Sequence, residues 1–535
     1  LNVKGTRLTV VRHGPWIAAA SVVLAFVIVG ASRLDRLPLI SGDEPWIAEP
    51  GYRFWTEGRF GCDMLAGFFG SERRCVGFMP LFSLLSGGAI AVLGVGLVPM
   101  RLTSLLLGTL AVALTFALGR RLASPAHGAW AAFIVALWPI AVAEPSYPLG
   151  IPLLDAARLA RYDIGPAAFG VAAVVVALGG DATRRLRARA LVVGLLVALA
   201  TLCHVYGIFW LPCAAGAWWV VSRRAWSRSE GLCLAAGCAA PLMVWFAFAT
   251  ADWPAFVGQH LRNAPRTRLG DVGFYVDNLA NGWRRFYALL RAAADGRVVT
   301  WVWGLLLVAG AIVAVGDRGR RGIRFALVCF LSILAGYSLL IQPQRPGYVA
   351  AIWPLAAVVA ASGVVDAVGA LGSRLRIAAV VAILGVAAMG VGATIARLYE
   401  APAAAAYPTL TATLRSRVPA GGKLLTLTAY WPALEGHVRE FRAINAGTLM
   451  RVRRDLMGPW SLSVADALDA ERADHLLLDE PTLRFLDGGP TTSDPDIAGE
   501  LIAYLAGRTC RIDHWTHPAY GRFALYDLRR PACQP

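Results

Sequence analysis

The stretch GPWIAAASVVLAFVIVGASRLDRLPLISGDEPW, residues 14–46, decides the class of this protein. Residues 14–31 carry no charged side chain, and about 20 mostly apolar residues are what a helix needs to cross a bilayer. Lys4, Arg7 and Arg12 precede the run, and Arg33, Asp35 and Arg36 follow it directly. No small-residue cleavage site follows. The segment therefore reads as a retained first membrane helix with its basic amino-terminal side in the cytoplasm. A polar loop comes next and presents Asp43 and Glu44 at the membrane surface, a dozen residues past the helix.

Apolar runs of this kind recur along the chain. The 535 residues are 57% hydrophobic and 16% charged, with a mean hydropathy of +0.56. Soluble domains carry about 25% charged residues and could not hide so much apolar surface. The 55 Gly and 18 Trp suit helix packing in lipid and anchoring at its interfaces. Candidate spans lie at 14–31, 101–119, 128–143, 164–180, 189–203, 205–222, 231–250, 299–316, 323–341, 347–367 and 376–396. Basic clusters at 120–121, 184–189, 223–228, 318–324 and 374–376 fall in every second connection, as the positive-inside rule requires. About eleven crossings then leave the amino terminus in the cytoplasm and the tail outside. Loops near 32–80, 144–163, 251–298 and 342–347 share the outer side. The run 81–98 must not cross, or parity breaks, so it is expected to be interfacial or re-entrant. The run 189–222 is short for two crossings and implies a broken hairpin near 204–207.

From about residue 400 the apolar runs shrink to strand length, at 424–429, 475–479 and 523–528, with an amphipathic helical stretch at 496–506. The expected fold class is a mainly α, polytopic membrane protein over 1–399 with a C-terminal extracytoplasmic α/β domain over 400–535. The formal net charge of +17 is accounted for by topology, and no nucleic-acid motif accompanies it, so no nucleic-acid partner is expected. Nine cysteines are present. Cys203, Cys213, Cys233, Cys238 and Cys329 lie in apolar runs and read as core residues. Cys62 and Cys75 share one polar loop, and Cys510 and Cys533 share the tail; both pairs become disulfides if those regions face an oxidising compartment. No CxxC or Cys/His metal spacing, no GxGxxG and no P-loop occurs, so neither metal nor cofactor is expected.

Four places could carry chemistry. The segment Ser41-Gly42-Asp43-Glu44-Pro45-Trp46 pairs two acids, and it also has the composition of a helix start, with acids and proline in the first turn. Asp163 sits at the outer mouth of a helix, beside Arg161 and Arg158, and reads either as a cap or as a site carboxylate; Asp155 is a weaker candidate of the same kind. Gln344-Arg345-Pro346-Gly347-Tyr348 opens a late helix and reads either as an interfacial anchor or as an anion contact. The loop 251–298 holds His260, Arg262, Arg266, Arg268, Arg284 and Arg285, a basic outer loop that topology does not explain and an anionic ligand does. Carboxylates and cations on one membrane face are what transfer of a sugar from a lipid phosphate needs. A carboxylate takes the proton of the attacking hydroxyl, and cations hold the departing phosphate.

The order of these features resembles the GT-C glycosyltransferases of the protein O-mannosyltransferase and lipid A aminoarabinose transferase type. The matching run is an apolar helix, a short loop, Asp43-Glu44, a polar stretch to Pro80-Leu81, Arg101-Leu102, a helix ending Leu118-Gly119-Arg120-Arg121-Leu122, Asp163, then Arg345, Tyr348 and Pro354. The resemblance covers roughly residues 14–400. It implies an inverting transferase using a polyprenyl-phosphate sugar, with Asp43 as catalytic base, Glu44 as its neighbouring acid, and Asp163 as the second outer carboxylate. It places Arg345 and Tyr348 near the lipid phosphate. The acceptor is then a lipid, a glycan or a protein, and membrane lipids surround the enzyme. Two departures stand out. Many relatives carry Lys-Pro late in the first loop, where this chain has Met79-Pro80. Aminoarabinose transferases carry Arg soon after the acidic pair, where Pro45-Trp46 stands here. Arg73, Arg74, Arg158, Arg161 or His260 are the expected substitutes, and the sugar is left open. The rival reading is a polytopic lipid or glycan transporter or flippase, which would place charges mid-bilayer and in two related halves; neither feature is seen in the sequence.

Overall fold

In lipid, an uncharged apolar run satisfies its backbone only by internal hydrogen bonds, and the runs marked in the sequence are helices. The computed structural model describes residues 3–139, 148–179, 186–222, 227–260, 271–278, 280–281, 298–317, 319–340, 346–488 and 495–529. Among these, eight helices are long and apolar enough to cross a membrane: His13–Ala31, Leu97–Leu122, Leu186–Cys203, Arg228–Thr250, Val298–Gly316, Arg321–Leu340, Ala350–Val368 and Ser373–Glu400. Shorter apolar helices occupy Pro80–Leu93, Pro125–Leu137, Ile164–Ala177 and Val205–Val220. The run expected not to cross is thus a 14-residue helix, Pro80–Leu93, ended by Gly94 at a φ of 91°. The expected break near 204–207 is a 3₁₀ turn, Val205–Phe209, preceded by His204 in extended conformation.

The chain divides into two compact units. The first comprises Leu1–Ser32, Thr103–Phe246 and Thr267–Glu400; the second comprises Arg33–Leu102, Ala247–Arg266 and Ala401–Pro535. In the first unit, helices pack backbone to backbone through small residues. A Cβ on Gly310 would collide with the carbonyl of Val359, and one on Gly363 with that of Leu306. Such a crossing is open only to glycine.

The second unit joins the first loop to the tail. Helix α1 (Asp43–Glu57) lies on α2 (Pro80–Leu93), close enough that a Cβ on Gly51 would strike the Ser83 backbone. The tail contains a five-stranded sheet in the order β2-β1-β3-β5-β4. Its strands are β1 (Lys423–Thr426), β2 (Glu440–Ala443), β3 (His475–Asp479), β4 (Cys510–His517) and β5 (Gly521–Asp527). β1 runs parallel to β2 and β3, and β5 is antiparallel to both β3 and β4. β3 is buried along its whole length, as a central strand covered on both faces must be. Leu425, Leu476 and Leu478 of the sheet pack against Val464, Leu468 and Leu501. Cys510 is disulfide-bonded; Cys533 lies outside the described residues.

Candidate active site

In the second unit the loop ahead of α1 closes on itself. The Ser41 N–H donates to Glu44 Oε1 at 2.9 Å, and the Asp43 N–H lies 3.4 Å from Ser41 Oγ. The Glu44 side chain thus makes its half of a capping box, while the Glu44 N–H donates to the Ser41 carbonyl at 3.1 Å. Glu44, not Asp43, is the acid the box consumes: no side-chain cap bond is made at Gly42, and Asp43 stands half-buried in the first turn.

Glu44 is fully buried against Arg101. Arg101 Nε donates to Oε2 at 2.8 Å and Nη2 to Oε1 at 2.7 Å, while Nη1 donates to the carbonyls of Leu34 and Pro38 at 2.8 and 3.0 Å. One guanidinium thereby ties the loop start to the acidic turn, in the bidentate geometry that arginine alone provides. The tail braces the same turn. Thr428, buried beside β1, donates its hydroxyl to the Gly42 carbonyl at 2.7 Å, and the Tyr407 N–H donates to Asp35 O at 2.9 Å. Burial pushes the phenols of Tyr407 and Tyr520 up, and the Glu44 carboxylate adds to this while Arg101 opposes it.

Further along the loop, Glu49 is buried and accepts from Cys62 Sγ at 2.9 Å and from the Met64 N–H at 3.1 Å. Burial pushes its carboxyl up to about 7, against the pull of Arg53. Arg73 is exposed and lies 3.8 Å from Asp252. Arg74 donates to the Phe248 carbonyl at 2.7 Å and covers the Phe248 ring at 4.6 Å. Gln259 ties the same segment by bonding the Val76 N–H and the carbonyls of Phe69 and Arg74. His260, the next residue, packs on Phe256, and burial holds its imidazole below the ordinary value. Arg262, Arg266, Arg268, Arg284 and Arg285 lie outside the described residues.

The first unit gathers its own polar cluster. Asp155, fully buried, accepts the N–H groups of Leu149 and Gly150 at 3.0 and 2.8 Å, and burial pushes it up to about 7. Arg158 donates to the carbonyls of Val29 and Gly30 at 2.9 and 2.6 Å, filling acceptors left open at the end of the first helix. Asp163 precedes the helix Ile164–Ala177 but its side chain caps nothing. Its Oδ2 receives Arg161 Nε at 2.9 Å, and its Oδ1 is buried with no hydrogen-bond partner among the described residues. Around it stands an aromatic wall. His204 lies against Tyr162, Tyr206 and Tyr348, with ring centroids 4.7, 4.2 and 5.9 Å away, and Tyr206 also meets Tyr337 at 5.6 Å. The Asp163 charge reaches His204, Tyr206 and Tyr337. Arg345 lies outside the described residues. Sequence reasoning marked Asp163, Arg161 and Tyr348 individually, but it did not assemble His204, Tyr206 and Tyr337 with them.

Solved structures share this architecture. ArnT from Cupriavidus metallidurans bound to undecaprenyl phosphate matches over 98% of this chain and 100% of its own, with a TM-score of 0.58 and 15% identity. The same protein in the apo state matches over 96% and 98%, again at 0.58 and 15%. The likeness is one of fold, extending over nearly the whole of both chains. A second structural neighbour is the archaeal oligosaccharyltransferase AglB from Archaeoglobus fulgidus, in complex with an inhibitory peptide and a dolichol-phosphate. It matches over 94% of this chain and 74% of its own, at a TM-score of 0.50 and 13% identity. No protein-family model matches the chain, and no curated protein does. The structural likeness runs through the tail, which the sequence resemblance did not cover.

Proposed function

We propose that this protein is an inverting glycosyltransferase that moves a monosaccharide from a polyprenyl-phosphate donor to a lipid, glycan or protein acceptor. Its place is the inner membrane, with the amino terminus in the cytoplasm and the tail on the outer face. The observation that carries the reading is the GT-C fold, shared along nearly the whole chain with a protein solved with undecaprenyl phosphate bound.

In this reading Asp43 is the base. The acceptor oxygen attacks the anomeric carbon, the bond from that carbon to the phosphate oxygen breaks, and the acceptor proton passes to the Asp43 carboxylate. Polyprenyl phosphate leaves with the electron pair, and a single displacement inverts the configuration. Glu44 acts through Arg101: the buried pair fixes the turn on which Asp43 stands. Arg345 and Tyr348 are the proposed contacts of the donor phosphate, with Arg73, Arg74, Arg158, Arg161 and His260 as the further basic groups, and Asp163 as a second carboxylate toward the sugar. Arg158 and Arg74 already hold backbone carbonyls, which favours positioning over direct phosphate contact for those two.

The test is transfer of radiolabelled sugar from a panel of polyprenyl-phosphate donors in membranes carrying wild type or Asp43→Asn, at equal abundance and with unchanged melting. Labelling that depends on the donor and falls by about 10²–10⁴-fold in the variant, the range for losing a general base, is expected. Equal labelling by both proteins removes Asp43 from the site.

A further inference from the structure

Two thiols meet beneath α1. Cys62 and Cys75 are both buried in the second unit and both are free in the structure. The loop folds so that the Cys62 N–H donates to Ser71 O at 2.8 Å and the Cys75 N–H to Phe60 O at 2.9 Å. This brings the two ends of the loop together and sets the sulfurs within hydrogen-bonding reach of each other. Cys62 Sγ also faces Glu49 Oε2 at 2.9 Å. The pairing is thus local, enclosed, and built by backbone bonds rather than by chance approach.

The second observation concerns redox environment. Cys510, in the same compact unit, is disulfide-bonded. A disulfide in the tail requires that this unit mature in an oxidising compartment, since reducing compartments keep such pairs as thiols. The first loop belongs to that unit and meets the same environment. Two thiols held together there are open to the same oxidation as Cys510, elsewhere in the unit.

We infer that Cys62 and Cys75 are joined by a disulfide in the mature protein. It forms by exchange with the disulfide of a thiol–disulfide oxidoreductase. One thiolate attacks that disulfide, the second resolves the mixed disulfide, and the oxidoreductase leaves as a dithiol carrying the two electrons and two protons. The bond closes the 62–75 loop, whose Met64 N–H holds Glu49, and Glu49 lies on the helix whose first turn carries Asp43; Cys62, once oxidised, no longer donates to Glu49. Because both sulfurs are buried, exchange happens while the loop folds, and the finished bond resists later reduction.

The experiment uses the full-length protein purified from membranes without reductant. The protein is denatured, alkylated with a maleimide, digested and read by mass spectrometry. The expected result is a linked peptide pair containing Cys62 and Cys75, lighter than the two thiol peptides by two hydrogen atoms, with no maleimide on either residue. Cys62→Ser is expected to expose Cys75 to the reagent, and Cys75→Ser to expose Cys62. If Cys62 and Cys75 both carry maleimide in the wild type while Cys510 does not, the inference is wrong. If Cys510 carries it too, the argument from compartment fails and the inference falls with it.

Discussion

Removing the Arg101 side chain is the sharpest perturbation of the acidic turn. Arg101 and Glu44 are both completely buried, so Arg101→Met leaves a carboxylate in a dry pocket and strips the carbonyls of Leu34 and Pro38 of their donor. Breaking a buried ion pair from one side costs about 3–5 kcal/mol. At about 2–4 °C per kcal/mol for a unit of this size, melting in detergent falls by roughly 6–20 °C. Glu44→Gln removes the charge yet keeps one oxygen for the guanidinium and is milder. The informative comparison is the double variant. With Glu44→Gln added to Arg101→Met no buried charge is left uncompensated, so the pair loses less than the sum of the singles, by more than about 1 kcal/mol. The assay is thermal unfolding of purified protein at fixed detergent and pH, with sugar transfer measured below the transition. A shift under about 2 °C for Arg101→Met, or strictly additive losses, would refute the argument that this pair fixes the turn carrying Asp43.

Three further outcomes follow from the same geometry. Glu49 holds its proton in the folded protein up to about 7, against an ordinary value of 4.5, so the folded state binds more protons than the unfolded one between these limits. Its contribution to stability is therefore full below about 4.5 and is lost as pH rises through 7, on the order of 3 kcal/mol; Glu49→Gln should flatten that part of the melting profile, and an unchanged slope counts against the burial argument. Thr428→Val orphans the Gly42 carbonyl at a cost of about 1–3 kcal/mol, and turnover is expected to fall more than donor affinity, because the hydroxyl touches the turn and not the substrate in this reading; a change confined to KM contradicts that. Asp155→Ala leaves two buried N–H groups without an acceptor and should lower the melting point by several degrees, whereas an unchanged melting curve would mean that water satisfies them.

What could be read from the sequence follows from how locally each feature is encoded. Lipid forces long uncharged runs into helices, so most spans were legible; the runs at 128–143, 164–180 and 205–222 form shorter helices, and 81–98, expected from charge parity not to cross, holds the helix Pro80–Leu93. The strands at 475–479 and 523–528 were legible from their length and flanking polarity. The ends of helices were less so: Trp138-Pro139 stops the helix from Pro125 at Leu137, because a proline turns the residue before it extended. Asp43 and Glu44 look equivalent in sequence. They separate only through Arg101, 57 positions on, and through Thr428, 386 positions from Gly42. No periodicity encodes such partners. A weak signal for Arg101 existed, an arginine opening a 26-residue apolar helix, since a charge there needs a partner. His204 carried a similar signal as the lone basic group between two apolar runs, but of its aromatic neighbours only Tyr206 is local in sequence, while Tyr162 and Tyr348 come from two other segments.

Asp163 shows what those distant neighbours add. A carboxylate that served only to pair with Arg161 or to cap a helix would have both oxygens engaged or in water. Here Oδ2 meets Arg161 and Oδ1 is buried with no partner among the described residues, beside His204 and a wall of tyrosines. Leaving such an acceptor unpaired costs about 1–3 kcal/mol or more for a charged group, a cost that a ligand hydroxyl arriving at Oδ1 would offset. Asp163→Asn separates the two roles. Its amide oxygen can still accept from Arg161, while its NH₂ stands where the open acceptor was. A group that only pairs with Arg161 then keeps sugar transfer near wild type, with a modest melting loss. A group that receives a sugar hydroxyl shows a raised KM for the donor, by about tenfold for each 1.4 kcal/mol of lost hydrogen bonding, with melting little changed. The second pattern is expected. Full transfer at wild-type KM would return Asp163 to a structural role and leave Asp43 as the acid on which the chemistry rests.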